Sequence, residues 1–159
     1  MNPEIFIRNA EEKDIHDLNK LLFQVHKIHS DGRPDLFKKG AKKYSDEELK
    51  EILHDKNKPI FVAEMNNKIV GYAFCIFMYS SNSHLLPDIK TLYIDDFCVD
   101  ENVRGQHLGT TIYKHVLDFA KKNGCYNVTL NVWATNLKAI KFYEKIGLKI
   151  QKIGMEQIL

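Results

Sequence analysis

The stretch from Lys68 to Tyr79 constrains the fold more than any other part of the chain. After Lys68, every residue up to Tyr79 is apolar or glycine. A strand with one wet face would alternate apolar and polar residues, so an unbroken run calls for cover on both faces. The run follows a second strand-like segment, residues 59–64, across Asn66-Asn67. Asn tolerates the left-handed backbone that tight hairpins need. The centre of the fold is therefore expected to be a hairpin whose second strand lies between two layers. The run is also too short for a bilayer, which takes ~20 apolar residues.

The rest of the chain supplies the layers. Residues 5–8 suggest a first strand. Asn9 with Glu12 three positions on resembles a helix start, and apolar residues follow at helical spacing at Ile15, Leu18, Leu22 and Val25. Ser45 and Glu48 form a capping-box pattern for a second helix. Residues 91–99 suggest another strand. Leu108, Ile112, Val116 and Phe119 mark a helix closed by Asn123-Gly124. Residues 126–132 suggest a strand, 136–146 a helix closed by Gly147, and 148–159 a final extended strand. Hairpin-linked strands followed by strand–helix alternation imply an α/β fold of the α+β type. Its central sheet would be mixed and mostly antiparallel, with helices on both faces.

Composition narrows the class. With 159 residues, 44% hydrophobic and 28% charged, the chain suits one domain, residues 1–159, and is neither disordered nor collagen-like. The net charge of +2 gives no basic footprint for nucleic acid. Cys75, Cys98 and Cys125 are too few and too far apart for a disulfide framework or a zinc site. Residues 1–10 contain Pro3, Glu4 and Arg8 and lack an apolar signal core. A soluble, cytoplasmic protein without membrane or metal partners is expected.

Residues 99–110 carry the most chemical information. A strand feeds a glycine-containing turn, Arg104-Gly105-Gln106-His107-Leu108-Gly109-Thr110, that opens directly into a helix. The first helical turn offers backbone N–H groups without intrahelical partners and a partial positive charge. Gly105 and Gly109 would let that backbone approach a bulky anion, and Arg104 adds a formal charge, which suits a pyrophosphate. The turn is neither a Walker A loop nor Gly-x-Gly-x-x-Gly.

Here the chain resembles the GNAT superfamily of acetyl-CoA-dependent N-acetyltransferases. Arg104-Gly105-Gln106-His107-Leu108-Gly109 is similar to their Arg/Gln-x-x-Gly-x-Gly/Ala loop, with His107 in the middle glycine position. A side chain there would crowd the pyrophosphate or force another backbone angle unless it points to solvent. A second stretch, Asn136 to Leu148, resembles the superfamily's Asn-x-x-Ala-x-x-x-Tyr-x-x-x-Gly-Phe/Leu helix. Asn136, Ala139 and Tyr143 share one helical face, which the resemblance assigns to the pantetheine arm, while Phe142 and Ile146 should pack on the sheet. The resemblance also implies a backbone oxyanion donor near Phe97, Cys98 and Val99. It allows a homodimer, with the final segment supplying a shared strand edge.

Acyl transfer to an amine requires that the amine lose a proton and that the thiolate leaving group gain one. Tyr143 matches the tyrosine that faces the sulfur in the family and is the expected acid. Asp95 and Asp96 interrupt an apolar strand, and ionised groups inside a strand invite explanation. Adjacent strand residues point to opposite faces, so only one of the pair is expected to face the acetyl group. The segment resembles that of polyamine acetyltransferases, whose acidic residue maps to Asp95. Asp95 is therefore the first candidate for the base, with Asp96 and a water relay as alternatives.

The acceptor side is less specific. Residues 26–37 contain His26, His29, Asp31, Arg33 and Asp35, which could line a pocket or simply reverse the chain. Trp133 is expected to fill core or flank the cofactor helix. The chain thus looks like an enzyme that moves an acetyl group from acetyl-CoA to a primary amine. A small molecule, with a diamine or polyamine favoured by the resemblance of the 92–99 strand, is the first expectation for the acceptor. A peptide or protein acceptor and a silent acyl-CoA-binding module are the alternatives.

Overall fold

In the computed structural model, which describes residues 3–80, 84, 85, 88–103, 105 and 107–159, strands and helices follow in the expected order. They are β1 (Ile5–Asn9), α1 (Ile15–Gly32), α2 (Asp46–Leu53), β2 (Ile60–Met65), β3 (Lys68–Ser80), β4 (Ile89–Val99), α3 (Leu108–Lys122), β5 (Asn127–Leu130) and α4 (Leu137–Lys145). The strands form one sheet in the order β1-β2-β3-β4-β5. Neighbours are antiparallel except β4 and β5, which are parallel. Asn66 and Asn67 turn the β2–β3 hairpin with φ of 51° and 62°, the left-handed backbone their side chains tolerate.

The apolar run of β3 is covered on both faces from Ile69 to Cys75 as expected, whereas Met78 and Tyr79 at its far end are exposed. Ala73 and Cys75 join Ile112 and Val116 of α3 in one core cluster. Tyr72 and Phe74 face the other way, among Leu18, Leu21 and Leu22 of α1 and Leu49 of α2. At about 25 cal/mol per Å² of apolar surface, burial in these two layers is the main force holding the helices to the sheet.

Local signals explain most boundaries. Ser45 caps α2, its Oγ accepting from the Glu48 N–H at 3.1 Å, while the Glu48 carboxylate accepts from the Ser45 N–H at 3.1 Å. The first helix departs from expectation. Asn9 cannot cap it because it is still paired with Phe61 in the sheet. Asp14 stands at the start of α1 without a side-chain bond to that helix; it closes the short turn before it, accepting from the Glu11 N–H at 2.8 Å and from both terminal nitrogens of Arg8 at 2.8 and 2.9 Å.

The expected strand at 126–132 shortens to β5. The expected final strand is not formed: residues 148–159 adopt no helix, strand or turn. Extended backbone becomes a strand only with a neighbour to bond to, and none is in register beside it.

Candidate active site

Asp95 and Asp96 lie on the same side of the sheet, contrary to simple alternation. The β3–β4 ladder pairs Phe74 with Asp96 and Cys75 with Ile94, leaving Asp95 as an extra residue on β4. Such a bulge shifts the alternation by one. Leu92 and Ile94, before it, point into the α3-side core, whereas Cys98, after it, points into the α1/α2-side core. Both carboxylates consequently face the layer of α1 and α2, and two acidic groups share one corner of the site.

The two carboxylates have different surroundings. Asp95 accepts a short hydrogen bond from the Tyr44 hydroxyl. Lys43 Nζ stands 3.1 Å from Asp95 Oδ2 and 2.9 Å from its backbone oxygen. Tyr44 is stacked on Phe74 at 5.5 Å between ring centroids, which fixes its hydroxyl. Asp96 is densely enclosed, and burial raises its pKa to about 6. Lys43, Tyr72 and the Phe97 N–H pull that value down, while Asp95 adds to the rise. The buried Tyr72 hydroxyl lies near enough to Asp96 to favour its charged form, and burial together with Asp96 holds the Tyr72 proton on.

Lys43 and Tyr44 are functional candidates that the sequence reading passed over. A usable signal was present: the Ser45–Glu48 cap fixes the chain direction immediately after them. A small cavity lined by Tyr44, Ile52, Lys58, Phe74 and Asp95 adjoins the pair.

Tyr143 approaches from α4. Its ring meets Phe97 edge-on at 6.2 Å and Phe142 at 5.5 Å. Burial, then the charges of Asp96 and Cys98, raise its pKa, so the phenol stays protonated. Asn136 caps α4, with Oδ1 accepting from the Ala139 N–H at 3.3 Å. That leaves the amide nitrogen of Asn136 as the donor for a further partner. Phe142 and Ile146 turn inward as expected: Phe142 lies 6.0 Å from Phe97, and Ile146 packs on the α3-side core.

At the loop, Arg104 and Gln106 lie outside the described residues. Gly105 has φ of 90°, and a Cβ there would meet nothing within 4 Å, so the turn is open on that side. His107 has φ 60° and ψ 21°, a left-handed backbone of the kind glycine favours, and its side chain is exposed. The histidine thus keeps the backbone shape of the glycine it stands in for. Its carbonyl accepts from the Thr111 N–H at 3.0 Å and from Thr111 Oγ1 at 2.9 Å.

Gly109 has a different role from the one expected. A Cβ there would lie 2.7 Å from Phe142 Cζ, so its bareness lets α4 pack on α3 rather than admitting an anion. Leu108 is buried in the α3-side core, while Thr110 is exposed in the first helical turn. The open turn, its left-handed backbone and the N-terminus of α3 fit a pyrophosphate. Gly105, His107 and the first turn of α3 would hold it. The β4–β5 ladder ends at Ile94 and Leu130, while Phe97, Cys98 and Val99 continue the pairing of β4 with β3, and Phe97 meets Phe142 of α4. Cys98 is buried, with Sγ 3.8 Å from the Leu21 carbonyl.

The other sequence candidates do not join this corner. His26 and His29 pack against Phe37 at 5.8 and 5.4 Å. Arg33 pairs with Asp35 at 2.8 Å and with Glu156. Trp133 does not fill core: it is exposed, its ring meets Phe37 edge-on at 5.3 Å, and its carbonyl accepts from the Asn136 N–H at the start of α4 at 2.9 Å. Among the described residues, no group of three or more His, Cys, Asp or Glu is placed to hold a metal, and no helix is long and apolar enough to cross a membrane.

Known proteins agree with this geometry. The family model of the acetyltransferase (GNAT) family matches residues 22–148. An uncharacterized N-acetyltransferase of Methanocaldococcus jannaschii is 28% identical over 147 residues, which is 92% of this chain and 62% of that protein. The chain therefore spans less than two thirds of that relative. The thialysine N-epsilon-acetyltransferase of Mus musculus is 29% identical over 152 residues, 89% of this chain and 82% of that protein. The crystal structure of a tetramutant of the BH1408 protein from Bacillus halodurans superposes with a TM-score of 0.93 at 27% identity, covering 97% of this chain and 99% of that one. With its sheet, loop and carboxylate corner in place and most of its length matched, the chain belongs to the GNAT family of acetyltransferases.

Proposed function

We propose that the protein transfers an acetyl group from acetyl-CoA to a primary aliphatic amine of a small molecule. The observation that carries this reading is the pair of carboxylates, Asp95 and Asp96, facing one layer of the molecule, with Tyr143 near enough to feel the charge of Asp96. An aliphatic amine reaches the site as an ammonium, with a pKa of ~10.4, and must give up a proton before it can attack. Asp95 and Asp96 offer that cation a negative site, and Lys43 Nζ already shows that an alkylammonium fits against Asp95. The mouse relative acts, by its name, on thialysine through an ε-amino group, which agrees with an amine on a flexible aliphatic stem.

The roles divide by environment. Asp96, with its pKa pushed up to about 6, is matched to accept a proton near neutral pH. Asp95, engaged by Lys43 and Tyr44, anchors and orients the incoming ammonium. This refines the expectation that Asp95 is the base. Tyr143, kept protonated by burial, donates toward the departing sulfur. The turn around Gly105 and His107 and the first turn of α3 bind phosphate oxygens, and the Asn136 amide meets the arm between phosphate and thioester. When bound, acetyl-CoA supplies the activated acetyl group.

The test is release of CoA thiol from acetyl-CoA across diamines, polyamines, thialysine, aminoglycosides, amino acids and short peptides. Release driven by aliphatic diamines, polyamines or thialysine supports the reading. Release driven only by peptides transfers the activity to a polypeptide acceptor. Binding of acetyl-CoA without release by any amine overturns the reading in favour of a silent acyl-CoA-binding module.

A further inference from the structure

The carboxylate corner already holds an alkylammonium of the chain's own. Lys43 Nζ stands 3.1 Å from Asp95 Oδ2, 2.9 Å from the Asp95 backbone oxygen and 5.6 Å from the centroid of the Tyr44 ring. A primary amine on a flexible four-carbon stem, held by a carboxylate, a carbonyl and an aromatic face, has the chemistry of the acceptor proposed above. Lys43 also acts on Asp96, where its charge is the strongest influence holding the pKa down against burial. One ammonium thus serves both carboxylates, and it sits against the oxygen of Asp95 that also accepts from the Tyr44 hydroxyl.

The two partners of Asp95 are held with different firmness. Tyr44 is fixed by its stack on Phe74. Lys43 has 42% of its side chain exposed, against 17% for Asp95. Its stretch of chain, residues 38–44, makes no backbone–backbone hydrogen bond among the described residues. A half-exposed pair of this kind contributes little to stability, because water screens it and ordering the long stem costs entropy. Lys43 can therefore leave Asp95 without disturbing the fold, while Tyr44 stays to orient the carboxylate. Lys42 does not take its place, being tied to Asp46 at 2.5 Å and to Asn19 at 2.6 Å.

We infer that Lys43 is a stand-in for the acceptor: it fills the ammonium seat on Asp95 while no acceptor is bound, and the acceptor's own ammonium displaces it. The inference rests on the acetyltransfer reading for what the acceptor is. Exchanging one ammonium for another keeps the charge beside the two carboxylates constant, so Asp96 retains a cation at its side throughout. A neutral group offers no such replacement and would leave Lys43 where it is. Lys43 thereby selects acceptors that arrive protonated. It also sets the amine concentration at which they win, because apparent affinity falls with the fraction of molecules whose seat is taken.

Two measurements test it, one with turnover and one without. In Lys43→Met, which keeps an unbranched stem without the charge, the KM for putrescine should fall about 3- to 10-fold, while the KM for acetyl-CoA holds. Lys43→Arg keeps a cation in the seat and should keep the parent's KM for the amine or raise it. In the parent with isotope-labelled lysine, the Lys43 ammonium should give an NMR signal protected from exchange with water, identified by its loss in Lys43→Arg. Putrescine should bring its exchange to the rate of the other exposed lysines, and sodium chloride at equal ionic strength should not. A KM for the amine that is unchanged or raised in Lys43→Met overturns the inference, as does a Lys43 signal that stays protected at saturating putrescine. Absence of CoA thiol release with any amine would instead remove the acetyltransfer reading, and the NMR titration would still decide whether an ammonium displaces Lys43.

Discussion

Asp95 and Asp96 are adjacent in sequence and face the same layer of the molecule, because the bulge opposite Phe74 and Cys75 inserts Asp95 as an unpaired residue. Two carboxylates at one place repel each other, and the charge of Asp95 adds to the rise in the Asp96 pKa. The protein resolves the repulsion by giving Asp95 the cation of Lys43 and the hydroxyl of Tyr44 while leaving Asp96 enclosed. One acid is thereby tied down, and the other is left with a pKa of about 6.

The raised pKa of Asp96 predicts a stability cost. In the unfolded chain it titrates near 3.8, in the folded protein at about 6. Stability therefore falls as pH rises from about 4 to about 6 and stays lower above that. Asp96→Asn should unfold at a higher temperature than the parent at pH 8, by up to roughly 3 kcal/mol, and the advantage should vanish near pH 4. Thermal melts at the two pH values check both parts.

Asp14 has the opposite sign. Burial would raise its pKa, but hydrogen bonds from Arg8 and the Glu11 amide hold it below the usual value. Its contribution is present above pH ~4 and is lost as pH falls through the folded value. Asp14→Asn should cost about 2–3 kcal/mol at neutral pH, because it unpairs the partly buried Arg8 guanidinium, which keeps only Glu64. Urea titration should show a large difference from the parent at pH 7 that shrinks as pH falls below the unfolded value of 3.8.

Gly109→Ala should disturb α4 rather than the loop. The new methyl group would press on the ring of Phe142, which lies beside Tyr143. A loss of about 1–3 kcal/mol is expected, with a fall in kcat that exceeds any rise in the KM for acetyl-CoA. His107→Gly should behave differently, relieving a left-handed residue at the start of α3 and stabilising by about 1 kcal/mol, with cofactor affinity kept. Melts and steady-state kinetics on the two variants distinguish these outcomes.

Tyr143→Phe removes the hydroxyl and keeps the ring contacts with Phe97 and Phe142. Turnover should fall about 10²-fold or more while acetyl-CoA binding by calorimetry changes little. Full turnover in this variant would remove the acid role from Tyr143.

Much of this was legible in the sequence where a local rule governs. The unbroken apolar run of β3, the paired asparagines of the hairpin, the Ser45–Glu48 cap and the two family-like motifs each point to the structure found. What escaped depends on contacts between distant segments. The bulge at Asp95 arises from the pairing of two strands, so alternation along β4 alone misplaces the carboxylates. The pairing of Lys43 and Tyr44 with Asp95 spans about fifty residues of chain. Gly109 looked like a phosphate glycine, but its bareness serves Phe142, a residue of another helix. The final segment has the pattern of a strand without a neighbour to make it one.

The most direct test of the central claim is the pH dependence of kcat/KM for the best amine, measured for the parent, Asp95→Asn and Asp96→Asn. The account predicts an acid limb in the parent with an apparent pKa near 6. That limb should survive in Asp95→Asn, where the loss falls mainly on the KM for the amine. Asp96→Asn should lose both the limb and most of kcat. An unchanged acid limb in Asp96→Asn would contradict the account and move the proton to another group.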